Sequence, residues 1–228
     1  MSGLHRKKIS IQVCLSGYSF KVDGEDGERF SSAWLEPGTL FSRREFQCSY
    51  AEAELSLFTP KCALVPEKYF AAGSERGLLS ATVPLDAGNI VLHLAVPQYG
   101  AVLLYCADTS RGWCDAILST LRCSAGKSPK FLPEMYYLLR DLSECGDYNK
   151  ILASLADGWL YLAIAQGGNL QLANVYRAMD FTTAEYFIFT ALKSLQLNPE
   201  MSTIRFRTPL EAEQEMSLYR YFRCVERI

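Results

Sequence analysis

Histidine is nearly missing: His5 and His93 are the only two in 228 residues. A zinc centre would have to gather cysteines from scattered elements, because no two of the eight cysteines (14, 48, 62, 106, 114, 123, 145 and 224) have CxxC spacing. A Cys–His nucleophilic pair would have to use His93, which sits inside the strand-like run Ile90 to Val96 and reads as a core residue. No surplus of one charge exists either. Lys and Arg number 23 against 25 Asp and Glu, a net −2, which excludes a global basic field for holding a phosphate backbone. Long apolar runs are also lacking: His93 and Pro97, or Asp157 and Gly158, break them far short of the roughly 20 residues that span a bilayer. The N-terminal MSGLHRKKIS is basic but passes straight into alternation, so no signal peptide and no membrane association are expected. Free, mostly buried thiols in a cytoplasmic protein are the reading that follows. Hydrophobic residues at 49% and charged residues at 21% are ordinary for a globular chain and exclude a disordered one.

What is present is a strong alternation of strand and helix signals. Ile9, Ile11, Val13 and Leu15 alternate with polar neighbours, Ser16-Gly17 turns the chain, and Tyr18 to Val22 reads as the return strand. Arg29 to Leu35 supplies a third strand after the Asp23–Gly27 turn. Glu54 to Phe58 and Cys62 to Val65 read as short strands, Pro66 begins a helical turn, and Ala71 to Leu85 reads as connection. Asn89 to Val96 and Ala101 to Cys106 form a hairpin across Pro97-Gln98-Tyr99-Gly100. Asp108, Thr109 and Ser110 offer caps for a helix bearing Trp113, Ile117 and Leu121. After a polar linker around Ser124–Lys130, Phe131, Leu132, Met135, Leu138, Leu139 and Leu142 recur at three and four, an amphipathic helix.

The last eighty residues are the clearest. Ile151 to Leu155, Trp159 to Ala165 and Leu170 to Tyr176 are strands joined by Asp157-Gly158 and Gly167-Gly168 turns. A helix follows with the capping-box pattern Thr182-x-x-Glu185, then a short strand at Thr203 to Phe206. Thr208-Pro209-x-Glu211 reads as the start of a final helix, with Glu211, Glu213 and Glu215 at its positive end and Arg220, Arg223 and Arg227 at its negative end. Three antiparallel strands, a helix, a strand and a helix is the order of a ribonuclease-H-like half. The chain opens with the same three strands, although no helix is visible after Leu35. The fold class expected is therefore α/β with mixed sheets: two ribonuclease-H-like halves, 1–127 and 128–228.

The segment from Gly168 to Glu200 resembles a bacterial family of uncharacterised proteins with an actin-like ATPase fold. Gly168, Leu170, Leu172, Asn174 and Tyr176 fit that family's strand, and Thr183, Glu185, Tyr186 and Phe187 fit its helix start. The Leu15–Phe20 hairpin and the Ala63–Phe70 segment are similar to its first half. The likeness spans most of the chain and is densest from Tyr148 onward. Its motifs are structural, and the family has no assigned activity.

The resemblance implies a place for nucleotide chemistry and allows a test of it on residues. Actin-like ATPases use two Asp-x-Gly hairpins, whose amides cradle phosphates and whose carboxylates organise Mg²⁺, and a Gly-rich turn that accepts the adenosine. Here the first hairpin is Leu15-Ser16-Gly17, without a carboxylate. The second is Ala156-Asp157-Gly158-Trp159, with an indole where a small residue would admit phosphate. After Phe206 comes Arg207-Thr208-Pro209 in place of two glycines. If nucleotide binds at all, Ser16, Gly17, Asp157 and Gly158 are the residues that would meet it; Asp157-Gly158 has a sufficient explanation as a type I′ turn. A ribonuclease-H nuclease is excluded by the absence of any acid from Ile9 to Leu15.

Two weaker signals read as solvated surface. Ala125-Gly126-Lys127-Ser128 lacks the leading glycine of a phosphate loop, which would fall at Leu121. Arg6-Lys7-Lys8 and Arg43-Arg44 have no interleaved aromatics to stack on bases. The expectation is a pseudo-ATPase: no cofactor, no metal, no catalytic residue, and a protein partner met by surfaces such as Tyr219, Tyr221 or Phe222. The alternatives are a nucleotide-dependent switch with unusual ligands and an accessory factor in nucleic-acid metabolism.

Overall fold

The computed structural model describes residues 5–24, 27–106, 112–123 and 129–228. The capping candidates Asp108, Thr109 and Ser110, the Ala125–Ser128 segment, part of the Asp23–Gly27 turn, and the side chains of Arg6, Lys7 and Trp113 lie outside the described residues. The chain divides into two compact units, residues 1–58 with 108–133, and residues 59–107 with 134–228. The units interleave along the sequence, where the pattern of elements suggests one boundary at 127/128.

In the first unit, β1 (His5–Val13) pairs antiparallel with β2 (Tyr18–Asp23), which pairs with the short β3 (Arg29–Ser31). On its other side β1 runs parallel to β4 (Ser49–Leu57), with Ile9, Ile11 and Val13 opposite Ala53, Leu55 and Leu57. Two 3₁₀ turns, Pro37–Ser42 and Arg44–Gln47, stand where a helix was sought after Leu35. Their Leu40 and Phe46 are buried, and Phe46 meets the rings of Tyr18 and Phe20 edge-on at 5.6 and 5.5 Å. A compact aromatic plug thus does the covering that a longer helix would do. Cys114, Ile117 and Leu121 close the core from the helix Gly112–Thr120 and its end.

In the second unit, a three-stranded sheet of order β5-β7-β6 is built from β5 (Cys62–Pro66), β6 (Val91–Val96) and β7 (Ala101–Cys106). Its core residues Val102, Leu104 and Cys106 pack on Leu79 of α1 (Glu75–Ser80), a helix inside the stretch read as connection. Next come β8 (Arg122–Cys123) and β9 (Phe131–Pro133), which both pair with β4 and belong to the first sheet. Numbering helices in chain order, Gly112–Thr120 is α2 and Glu134–Glu144 is α3.

The second unit's larger sheet contains β10 (Asn149–Ala156), β11 (Trp159–Gln166), β12 (Asn169–Arg177), β13 (Thr203–Phe206) and β14 (Cys224–Arg227). Its order is β12-β11-β10-β13-β14, and the first unit's sheet is β3-β2-β1-β4-β8: in each, a three-strand meander is extended beside its first strand by two parallel strands. That shared order is the ribonuclease-H-like pattern. Ile151, Ala153, Leu160, Leu162 and Ile164 face α4 (Phe181–Ser194), which contributes Ala184, Ile188, Ala191 and Leu192. Residues of opposite parity on β10 face α3, so helices cover both sides of the sheet.

Local starts differ in three places from the sequence signals. Helix α4 is capped by Asp180, whose carboxylate accepts from the Thr183 amide at 2.7 Å, and Thr182 and Glu185 lie inside its first turn. Helix α5 (Ala212–Tyr219) begins after Glu211, whose amide donates to the Gln214 side chain, while Thr208 accepts from the Leu155 amide instead of capping. The chain does not continue as helix to Arg227: Cys224–Arg227 becomes the edge strand β14, because Val225 is drawn into the core beside Ile204. Among the described residues no helix is long and apolar enough to cross a membrane.

Candidate functional site

Ser16 and Gly17 lie in the turn between β1 and β2 of the first unit. The Cys14 amide donates to the Gly17 carbonyl at 2.9 Å, and the Cys14 thiol and Ser16 hydroxyl are 3.4 Å apart. Glycine is required at 17 by close approach: a Cβ there would stand 2.2 Å from the Leu35 carbonyl oxygen. Leu35 exchanges backbone hydrogen bonds with Tyr18 at 2.8 and 3.0 Å, which holds that oxygen in place. The turn thus has no carboxylate, and its glycine is explained by packing against the chain's own backbone.

Asp157 and Gly158 join β10 to β11 in the second unit, with φ of 52° and 72°. Two successive positive φ values are what a type I′ hairpin needs, and Asp followed by Gly is the usual way to supply them. An added Cβ at Gly158 would meet the sulfur of the exposed Met179 at 2.9 Å, and the Ala178 amide donates to the Gly158 carbonyl. Next to it, the Arg177 guanidinium lies over the Trp159 ring at 4.8 Å. A turn role predicts that Asp157→Asn leaves thermal stability unchanged, whereas Asp157→Ala lowers it by about 1–2 kcal/mol by forcing an alanine into the left-handed region. A denaturant titration of both variants measures the difference.

The third position, after β13, holds a buried ion cluster instead of a glycine pair. Arg207 Nη1 is 2.8 Å from Glu134 Oε2, and Arg207 Nε is 2.7 Å from Asp141 Oδ2. Glu134 is fully buried at the first turn of α3, and its other oxygen accepts from Ser154 Oγ at 2.6 Å. Glu134, Tyr137 and Asp141 recur at i, i+3 and i+7, so one face of α3 presents two acids with a ring between them. The guanidinium groups of Arg140 and Arg207 each lie 5.0 Å from the Tyr137 centroid. Burial draws the Arg207 pKa down, but the facing Glu134 and Asp141 carboxylates outweigh it and hold the group above its ordinary value. The cluster is fastened to β10 through the Arg207 amide, which donates to the Ala153 carbonyl. No motif signals it, because its members come from α3, β10 and the end of β13.

The carboxylates therefore serve the fold. Among the described residues no group of three or more His, Cys, Asp or Glu side chains is placed to hold a metal. The residues at the three expected contact points do not fit a phosphate-and-magnesium cradle. His93, read from its run as a core residue, is instead exposed on β6, with Nδ1 3.1 Å from Glu75 and its ring 4.9 Å from Phe70. It lies across from Leu104 on the face that carries Val102, Leu104 and Cys106, but at the edge strand, where Phe70 and Glu75 cover it only in part. All eight cysteines are free; Cys14, Cys106 and Cys114 are buried and the other five are partly so, fewer buried than the apolar runs suggest. Burial, with Cys106 nearby, pushes the Cys62 thiol up to about 12, and burial raises Cys123 and Cys145 as well, which leaves these thiols protonated and poor nucleophiles. The basic candidates divide: Lys8 pairs with Glu54 at 2.7 Å, and Arg44 is on the surface of a 3₁₀ turn.

Of the three aromatic partner candidates, Phe222 is buried beside Phe189, and Tyr219 donates its hydroxyl to the Val225 carbonyl. Tyr221 is half-exposed with its ring 4.9 Å from Phe189. Tyr186, on α4, is exposed as well, though in the sequence it marks only the start of a helix.

The fold has counterparts among solved structures. A protein of unknown function with an actin-like ATPase fold from Bacteroides thetaiotaomicron superposes with a TM-score of 0.65 at 16% identity, over 97% of this chain and 90% of that one. A PilM–PilN type IV pilus biogenesis complex contains a chain that matches with a TM-score of 0.50 at 12% identity, over 97% and 88%. These likenesses establish the fold, an actin-like ATPase fold of mixed α/β sheets, and at such identities only the fold. No curated protein matches the sequence. Residues 4–225 match the family described as protein of unknown function (DUF3822), and the chain belongs to that family.

Proposed function

We propose that this protein is a non-catalytic interaction module, a scaffold in which an actin-like ATPase fold is kept and its nucleotide chemistry is gone. One observation supports this above the rest: where the fold would turn on a glycine pair after β13, Arg207 closes on the buried Glu134 and on Asp141. At the two hairpins Ser16-Gly17 brings no carboxylate, with the Leu35 carbonyl against Gly17, and the Trp159 indole follows Asp157-Gly158. A fold outlives its chemistry when its packing still serves a purpose, and protein binding is a purpose that needs no cradle. A chain of similar fold occurs in a protein–protein assembly, the PilM–PilN complex, which makes that use of the scaffold a reasonable one here. Eight unbridged thiols suit a reducing compartment, and we place the protein in the cytoplasm within this reading.

Thermal unfolding with and without ATP and Mg²⁺ tests the proposal. A ligand present at about a hundred times its Kd adds roughly 2.7 kcal/mol to the folded state. No shift is expected for the wild type or for Asp157→Ala. A nucleotide-dependent rise in Tm that Asp157→Ala removes would reinstate the switch.

A further inference from the structure

The surface formed by α4 and the end of α5 combines aromatic exposure with unpaired positive charge. Tyr186, Phe189 and Lys193 follow one another at i, i+3 and i+7, so they share one face of α4. The Phe189 ring contacts Tyr221, just past α5, and continues the strip across to that element. Tyr186 is 64% and Tyr221 49% exposed, while Phe189 is rooted in the core below. The strip is therefore anchored and also presented to solvent, which is how binding hot spots are built from tyrosine and arginine.

Its rim is cationic. Lys193 follows Phe189 by one turn, Arg220 directly precedes Tyr221, and Arg223 is tied through its amide to the Pro199 and Ser202 carbonyls. All three are exposed, and none forms an ion pair with a described residue. The neighbouring cations are treated differently: Arg205 is bound by Asp147 and Glu226, and Arg207 by Glu134 and Asp141. The acids nearby in the chain are Glu226, three residues past Arg223 and paired with Arg205, Glu185, directly before Tyr186, and Glu200, on the 3₁₀ turn whose Pro199 carbonyl accepts from the Arg223 amide; Glu211, Glu213 and Glu215 sit at or near the far end of α5. In a chain whose net charge is −2, three unanswered cations around an aromatic strip are a local departure.

From this complementarity we infer that the strip is the docking site for an acidic segment of a partner protein, one that sets aromatic or aliphatic anchors on Phe189 and Tyr221 and carboxylates on Lys193, Arg220 and Arg223. The inference rests on the reading of the chain as an interaction module. It is tested by selecting a displayed library of random peptides on the whole chain, then measuring synthetic copies of the enriched peptides by fluorescence anisotropy. Enriched peptides should combine Asp or Glu with large apolar residues. Their Kd should weaken at least about tenfold in Tyr221→Ala, as for a hot-spot residue. It should weaken comparably in the Lys193→Glu/Arg220→Glu double variant and fall off with added salt, as charge pairs at a surface do. All the altered side chains are exposed or half-exposed, so circular dichroism and Tm should match the wild type. Tyr186→Ser is a second aromatic variant should Tyr221→Ala fail to fold.

No enrichment, enrichment of neutral or basic peptides, or equal binding by the charge-reversed variant would overturn the inference. A concentration-dependent dimer in sedimentation that Tyr221→Ala dissolves would also overturn it, in favour of a second copy. Each of these failures removes the surface and leaves the interaction-module reading in place. Saturable binding of ATP removes that reading instead.

Discussion

Arg207→Met is expected to lower unfolding stability by about 3–5 kcal/mol, because it leaves the fully buried Glu134 carboxylate without its counter-charge. For a chain of this size that corresponds to a fall in Tm of roughly 6–20 °C. The cost arises from the partner left behind. Ser154 still donates to Glu134 Oε1, but the charged contact of Arg207 Nη1 with Oε2 is lost. Adding Glu134→Gln to Arg207→Met should therefore cost much less than the two single changes summed, with a coupling of about 2 kcal/mol or more. Arg207→Lys should rescue poorly, since one ammonium cannot span Glu134 and Asp141 as the guanidinium fork does. Equilibrium denaturation of the four proteins completes the cycle. An Arg207 kept for an external anionic ligand would behave in the opposite way: Arg207→Met would hold its stability and lose only the ligand.

Gly17→Ala is the second large effect, at about 3 kcal/mol, the upper part of the range for forced overpacking. The added methyl would lie 2.2 Å from the Leu35 carbonyl oxygen, a distance that only backbone movement relieves. Any movement pulls on the paired Tyr18–Leu35 hydrogen bonds and on Tyr18, which is fully buried and in edge contact with Phe46. The damage should therefore spread through the first unit's aromatic plug. Hydrogen exchange should show faster exchange at the Tyr18 and Leu35 amides than in the wild type, while β10 to β12 keep their protection. If Gly17 were instead held open for a ligand, alanine would leave apo stability nearly unchanged.

Elements whose sequence obeys one strong period were legible. The β10–β12 meander announces itself through alternation and through Asp157-Gly158, whose positive φ values the structure confirms. Helix α3 is equally plain from Glu134 on, with Met135, Leu138, Leu139 and Leu142 on its buried face, but Phe131 and Leu132, which read as its start, form strand β9 beside β4. Short or edge elements were not. Helix α1 is six residues long and offers only Leu78 and Leu79 as apolar neighbours, too few for a period to show. β14 hides behind a helix-like charge pattern, since Val225 is its one buried residue. His93 was misread because an alternating run does not reveal whether its strand lies at the centre of a sheet or at an edge.

The site divides along the same physical line. The absence of an acid at Ser16-Gly17 and the indole at Trp159 can be read directly from residue types. What stands beside those positions cannot, because Leu35, Met179 and Glu134 approach them only through the fold and have no local signature. Arg207 illustrates both halves: the sequence reveals that it is not glycine, and only the fold reveals its pairing with Glu134 and Asp141.

The central claim is that the scaffold survives without its nucleotide, and isothermal titration of the purified protein with ATP in excess Mg²⁺ tests it most directly. The account predicts heats no larger than those of dilution for the wild type and for Asp157→Ala alike. A saturable, one-site isotherm that disappears in Asp157→Ala would contradict it.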